Sequence, residues 1–273
     1  MGDFLDKLAE TAWKNVKEGY YRRVETRSFY GRRSLKSAII TLDKNKAPII
    51  SEIKFASPSL GLLRPPSDIT SIARRMIEAG AIGLSILTEP VYFSGSLQNL
   101  LNARAAVEAP ILMKDIIVSL EQIRAARDMG ADAILLIVAL FERGYCETSL
   151  DEMIRYAHNY GLEVLLETHT VKEFRAALSS DADMIGINNR DLKTLKIDLN
   201  VTKRLLENLE NFDKSEANDR PIISESGIRS PEDIRFLKRC GADGFLVGSS
   251  IMTAGDIGDF IFRLVNAYGG GKS

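Results

Sequence analysis

Ionisable and amide side chains recur in this sequence as close pairs: Glu52 with Lys54, Lys114 with Asp115, Glu167 with His169, and Asn188 with Arg190, while Glu89 and Glu225 stand alone. Each lies at or near the end of a short apolar run. In an extended chain, residues i and i+2 share a face, so Glu52 and Lys54 point the same way, as do Glu167 and His169, and Asn188 and Arg190. Burying a charge without a partner is costly, so such groups must meet one another or a ligand. Two readings follow. One is an acid–base constellation that acts on a substrate. The other is an ion-paired layer that only holds the fold closed, and such layers add little stability over apolar packing. The first is favoured for the set. For single members a plainer role stands beside it: Asp115 and Arg190 as orienters of neighbours, His169 as a satisfied structural histidine. Two further segments, SESGI (224–228) and VGSSI (247–251), are rich in small residues. Small residues let backbone amides approach an anion such as phosphate, which makes Gly227, Gly248 and Ser249 candidates for binding one. The alternative there is turns that need a positive φ.

The elements that must position these groups form a repeat. Eight apolar runs rich in β-branched residues lie at 48–55, 81–89, 110–117, 131–138, 162–170, 182–189, 221–228 and 244–251. Continuous apolar runs fit parallel strands buried on both faces. Between them stand segments of helical period, among them 68–80, 119–130, 230–241 and 256–269, several opening on Ser or Asp and closing on Gly, the preferred cap residues. Gly80-Ala81, Gly130-Ala131-Asp132, Asp181-Ala182-Asp183 and Gly241-Ala242-Asp243 precede the even-numbered runs, an echo at roughly fifty residues, or two β/α units. Runs 1, 3 and 7 open with Pro48, Pro110 and Pro221, and proline is tolerated at the first residue of a strand. Eight units of near-equal size favour closure over an open sheet, and no G-x-G-x-x-G follows the first run. The expected fold is α/β, a (β/α)8 TIM barrel with an N-terminal helical extension. Residues 1–46 form the extension, with helical patterns near 3–18 and 33–44. Residues 47–273 form the barrel, and the whole is one domain. Active sites of such barrels lie at the C-terminal strand ends, where the paired groups fall, and phosphate sites follow strands 7 and 8.

Composition narrows the function classes. The chain has 273 residues, 45% hydrophobic and 27% charged, with a net charge of -1. That balance does not suggest a nucleic-acid or acidic-membrane partner. The extension is locally basic (Arg22, Arg23, Arg27, Arg32, Arg33, Lys36), but Glu18, Glu25 and Asp43 are interleaved, so a solvated helical extension fits better than a nucleic-acid arm. Cys146 and Cys240 form no C-x-x-C motif, and a reducing compartment is the simpler reading. No signal-peptide core or membrane span is apparent, so a cytoplasmic protein is expected. With only two histidines, a histidine-built metal site is not expected. The polar segment 207–220 before run 7 reads as a solvated loop away from the chemistry.

Eight motifs, in order and each at an expected strand, carry a resemblance over nearly the whole chain: SEIKFASPSLG (51–61), YFSGS (92–96), PILMKDII (110–117), ADAILLIV (131–138), LLETH (165–169), IGINNRDL (185–192), SESGI (224–228) and FLVGSSIM (245–252). Together they resemble the indole-3-glycerol-phosphate synthase family, which also has a helical extension before its first strand. The sequence departs from the family pattern at Leu60, where lysine is common, and at Ile116, where phenylalanine is common.

The resemblance implies a lyase of tryptophan biosynthesis that closes the indole ring of 1-(2-carboxyphenylamino)-1-deoxyribulose 5-phosphate, releasing carbon dioxide and water. It implies no metal or organic cofactor. By analogy Lys114 is the general acid, since an ammonium both donates a proton and stabilises a developing oxyanion. Glu167 is the base or proton shuttle. Lys54 is a second acid or an anion binder. Glu52 holds Lys54, and Glu225 orients groups or stabilises positive charge. Ser57, Asn188 and Ser226 suit the aromatic carboxylate. Phe93, Leu135 and Leu246 suit the ring, although both leucines have a plain role as barrel core. Arg190 serves to orient Glu167 or Asn188. The partner is therefore a small phosphorylated substrate, and a monomer or weak oligomer is expected. Rival readings are an aldolase-like Schiff base on Lys114 or Lys54, a neighbouring isomerase barrel, which lacks the long extension, and a non-catalytic metabolite-binding barrel.

Overall fold

A computed structural model describes residues 2–22, 31, 33–65, 67–207 and 219–269. Arg23, Arg27 and Arg32, and most of the polar segment 207–220, lie outside the described residues.

Eight strands close into a barrel: β1 Ile49–Ile53, β2 Gly83–Leu87, β3 Ile111–Lys114, β4 Ala133–Ile137, β5 Glu163–Thr168, β6 Met184–Asn188, β7 Ile222–Glu225 and β8 Gly244–Val247. Each pairs in parallel with its sequence neighbours, and β8 pairs with β1. Alternation sorts every strand. Ile49, Ile53, Leu84, Ile86, Ile134, Leu136, Val164, Leu166, Ile185 and Ile187 pack outward under the helices. Ile50, Leu112, Ala133, Leu135, Leu165, Met184, Ile223 and Leu246 fill the interior. Two residues further up, four of these inward rows turn polar: Ile50 leads to Glu52, Leu112 to Lys114, Leu165 to Glu167, and Ile223 to Glu225. The interior is thus apolar at the base and charged at the C-terminal rim.

The expected runs overshoot the strands. Run 131–138 ends its strand at Ile137, and Val138–Glu142 is a short helix. An apolar run cannot itself distinguish a last strand residue from a first buried helical one. A small hairpin, Ala56–Ser57 with Gly61–Leu62, was not legible in the sequence.

The echoed aspartates have a structural reason. The Asp132, Asp183 and Asp243 carboxylates accept the backbone N–H of Ile111, Val164 and Ile222 at the entry of the neighbouring strand. Each aspartate's own N–H donates to the carbonyl of that same residue. The prolines fit the same ends: Pro48, Pro110 and Pro221 lack an N–H, yet their carbonyls accept from Phe245, Leu84 and Ile185.

The extension grips both ends of the barrel. Helix α1, Phe4–Lys17, is capped by Asp3. Arg143 binds Asp3 and Asp6 at 2.7 and 2.6 Å, and Trp13 Nε1 donates to the Tyr145 carbonyl at 2.7 Å. At the opposite end, helix α2, Leu35–Ile40, places its N-terminus on Glu163, the first residue of β5. That carboxylate accepts the N–H groups of Leu35 and Lys36 and the Ser34 hydroxyl.

Asp132 also pairs with Arg104, which is 4% exposed, at 2.9 Å. Asp132→Ala would leave that guanidinium buried without its partner, and we expect a loss of about 3–5 kcal/mol in urea unfolding. Asp183→Ala, whose partner His158 sits at the surface, is expected to lose less.

Candidate active site

The charged rim converges on Lys114, the last residue of β3. Its Nζ lies 2.9 Å from Glu225 Oε2 and 3.3 Å from Glu167 Oε2. Asn188 Nδ2 donates to the other Glu167 oxygen at 3.0 Å. Across the barrel, Lys54 Nζ meets Glu52 Oε1 at 2.5 Å. Two of the carboxylate oxygens, Glu52 Oε2 and Glu225 Oε1, are buried without a hydrogen-bond partner. A layer built only to close the barrel would satisfy them, because an unpaired buried acceptor is costly.

Electrostatics separates the carboxylates. Burial works to lower the Lys114 pKa, but Glu225, Glu167 and Glu52 outweigh it and raise it, so the ammonium persists. Burial opposes ionisation of Glu167 too, yet Lys114, His169 and Asn188 hold its pKa below the ordinary value. Glu225 differs. Burial, offset only in part by Lys114 and reinforced by Glu167, pushes it up to about 7. Environments that push two acids apart in this way suit different proton roles.

These groups line a cavity of about 620 Å³. The candidate catalytic, substrate and phosphate residues all border it: Glu52, Lys54, Lys114, Glu167, Asn188 and Glu225; Ser57, Phe93, Leu135, Arg190, Ser226 and Leu246; and Gly227, Gly248 and Ser249. Glu89 and Asp115 border it too, whereas His169 does not. The departures Leu60 and Ile116 border it as well, Leu60 at 61% exposure and Ile116 buried. Among the described residues, no three His, Cys, Asp or Glu side chains are grouped to hold a metal ion.

Several groups prove to have supporting contacts. His169 follows the end of β5 and stands behind Glu167, with Nε2 3.3 Å from Glu167 Oε1 and Nδ1 3.4 Å from Glu173 Oε2. The backbone N–H of Arg190 donates to Asn188 Oδ1 at 2.9 Å, so Arg190 orients Asn188 through its main chain. Its guanidinium reaches Ser59 Oγ at 2.7 Å. Glu89 accepts three N–H groups from Val91, Tyr92 and Phe93 and so shapes the loop that presents Phe93. Asp115 accepts from Thr88 Oγ1 and Tyr21 OH.

The glycines serve the carboxylates as well as the turns. A Cβ at Gly248 would overlap the Glu52 carboxylate, and one at Gly186 would overlap that of Glu225. Ser226 and Gly227 both adopt positive φ, 67° and 89°, and a four-residue helix, Ser249–Met252, starts just after Gly248 without a side-chain cap. Sequence reasoning missed Phe4 and Leu8 of α1, and Leu192, Ile197 and Arg229, all of which line the cavity. The amphipathic pattern of α1 signalled that it packs, but no spacing could say that it packs over this rim.

A barrel interior replaces apolar packing with unsatisfied charge at its C-terminal mouth where a ligand is to be met. The fold and rim thus define a (β/α)8-barrel enzyme. Residues 5–264 match the indole-3-glycerol phosphate synthase family. An indole-3-glycerol phosphate synthase of Caldanaerobacter subterraneus is 38% identical over 82% of this chain and 84% of its own. One of Methanocaldococcus jannaschii is 42% identical over 85% and 82%. The chain belongs to this family. At the level of fold alone, a thiamine phosphate pyrophosphorylase from Pyrococcus furiosus superposes with a TM-score of 0.59 at 15% identity, over 86% of this chain and 98% of the other.

The raised Glu225 carries a consequence for stability. A carboxyl whose folded pKa exceeds its unfolded one favours the fold at low pH. That advantage is lost as pH rises from about 4.5, the ordinary value, through about 7. Glu225→Gln removes the titration, so its change in melting temperature relative to wild type should be more favourable at pH 8 than at pH 5. An equal change at both pH values would show that Glu225 does not titrate in this window.

Proposed function

We propose that the rim performs the indole-3-glycerol phosphate synthase reaction of tryptophan biosynthesis. The substrate is 1-(2-carboxyphenylamino)-1-deoxyribulose 5-phosphate. The products are indole-3-glycerol phosphate, carbon dioxide and water. The observation that carries this reading is the Lys114 ammonium, held between Glu225 and Glu167 in the lining of the cavity.

The phosphate is bound by the backbone at Gly227, Gly248 and Ser249. The positive φ angles at 226 and 227 and the uncapped helix start support this. Ser57, Ser226 and Asn188 supply donors for the aromatic carboxylate. Phe93, Leu135 and Leu246 wall the ring. The carboxylate-bearing ring carbon attacks the ribulose carbonyl. Lys114 gives the carbonyl oxygen its proton and stabilises the charge developing there. Carbon dioxide then leaves, and its bonding electrons return to the ring. An acid, Lys54 or Lys114, protonates the departing hydroxyl, which leaves as water. Glu167, held ionised, removes the last proton to complete the indole. Glu52 and Glu225 hold the two lysines in place, and Arg190 holds Asn188.

The lysine environment favours this reading over an aldolase-like one. A Schiff base needs a neutral amine, and the surrounding carboxylates stabilise the ammonium of Lys114. Borohydride with substrate should therefore trap no adduct. The extension and barrel act as one domain, a view supported by the contacts of α1 and α2 with both barrel ends. A cytoplasmic setting fits the two free cysteines. No helix among the described residues is long and apolar enough to cross a membrane.

Removing a general acid typically costs about 10²–10⁴ in rate. Lys114→Ala is expected to lower kcat by that factor, read by the fluorescence of the indole product, with the circular dichroism spectrum unchanged. An unchanged kcat would remove Lys114 from the mechanism.

A further inference from the structure

Lys114 ends a four-residue strand, Ile111–Lys114, and Asp115 already belongs to the rim loop. A catalytic ammonium must be placed closely, since a displacement of about 1 Å can cost on the order of 10²-fold in rate. Besides Gln122, whose amide donates to the Ile116 carbonyl at 2.8 Å, the contacts at this strand end come from the end of β2 and the extension.

Thr88, just past β2, binds both residues. Its N–H donates to the Lys114 carbonyl at 3.1 Å, and its hydroxyl donates to Asp115 Oδ2 at 2.5 Å. The extension then binds both members of that pair. Tyr21 OH donates to the same Asp115 oxygen at 3.0 Å. Tyr20 OH donates to the Thr88 carbonyl at 3.0 Å and accepts the Leu97 N–H at 3.1 Å. The other Asp115 oxygen accepts the Ile116 N–H at 2.7 Å. Asp115, Thr88 and Tyr21 are 1%, 0% and 3% exposed, so water does not compete for these bonds. The two tyrosine rings meet edge-on at 4.9 Å, so the pair packs together.

We infer that Tyr20 and Tyr21 are positioning residues for Lys114. Through Thr88 and Asp115 they fix the backbone from which the ammonium reaches Glu225 and Glu167. They touch no reacting atom. The role rests on the assignment of Lys114 as general acid. It gives the extension a part in turnover that its packing alone would not require, because ring packing needs no hydroxyl at Asp115.

Tyr21→Phe in the full chain keeps the ring and removes only the bond to Asp115. The expected result is a fall in kcat of about tenfold or more, with KM within about twofold of wild type. The same substitution in a Lys114→Ala background should produce no further fall in the residual turnover, as coupled positions require. Ser34→Ala loosens the extension at the far end of the barrel and should leave kcat unchanged at a comparable loss of melting temperature. If Tyr21→Phe does not fold, Asp115→Asn keeps the shape and carries the same expectation. A folded Tyr21→Phe with wild-type kcat would overturn the inference. So would an undiminished, additive fall in the Lys114→Ala background. Full turnover by Lys114→Ala alone would instead refute the acid assignment on which the inference rests, so the two failures are distinguishable.

Discussion

The contact on which the rest depends is a single ammonium shared by two buried carboxylates. Lys114 sits 2.9 and 3.3 Å from Glu225 and Glu167, in a layer where water is scarce and charge is expensive. Each of the three is costly to bury there without the others. Their sharing is unequal, because Lys114 and His169 stabilise charge on Glu167 while Glu225 is left with a raised pKa. The barrel therefore holds, on strands β5 and β7 with β6 between them, one acid kept ionised and one whose pKa burial pushes up to about 7. That asymmetry is what acid–base chemistry in several steps requires.

The surrounding architecture reads as the means of holding that layer. Below it, the interior is apolar to the base and supplies the packing that the rim forgoes. Beside it, Gly186 and Gly248 are bare because a Cβ would strike the Glu225 and Glu52 carboxylates. Behind it, His169 links Glu167 to Glu173, and the main chain of Arg190 orients Asn188. The extension closes both ends: α2 seats on Glu163 at the base, while α1 brings Phe4 and Leu8 to the cavity wall. Stability and chemistry are thus separated along the barrel axis, with the aspartate clamps at the strand entries and the ionisable set at the strand exits.

Much of this was legible in the sequence, and for identifiable reasons. Eight apolar runs, Gly-Ala-Asp echoes and opening prolines are local patterns, and each proved to mark a strand or its entry. The period-two reading put Glu52 with Lys54 and Asn188 with Arg190 on shared faces, and all four line the cavity, although Lys54 and Arg190 lie just past the ends of β1 and β6. Of Glu167 and His169, only Glu167 lines the cavity, while His169, past the end of β5 at Thr168, meets it from behind. The strand reading overshot at Val138, where a buried helix begins without a polar signal.

The sequence by itself determined the fold class, the strand ends that bear charge, and the residue types available to a substrate. Those follow from periodicity and from the cost of burying charge, which act over a few residues. Only the tertiary structure decided which carboxylate meets which lysine, which of them stays ionised, and that Tyr21 reaches across 94 residues to hold the loop beside Lys114. These outcomes depend on distances between strands and on local burial. They are set when the barrel closes, and no spacing along the chain encodes them.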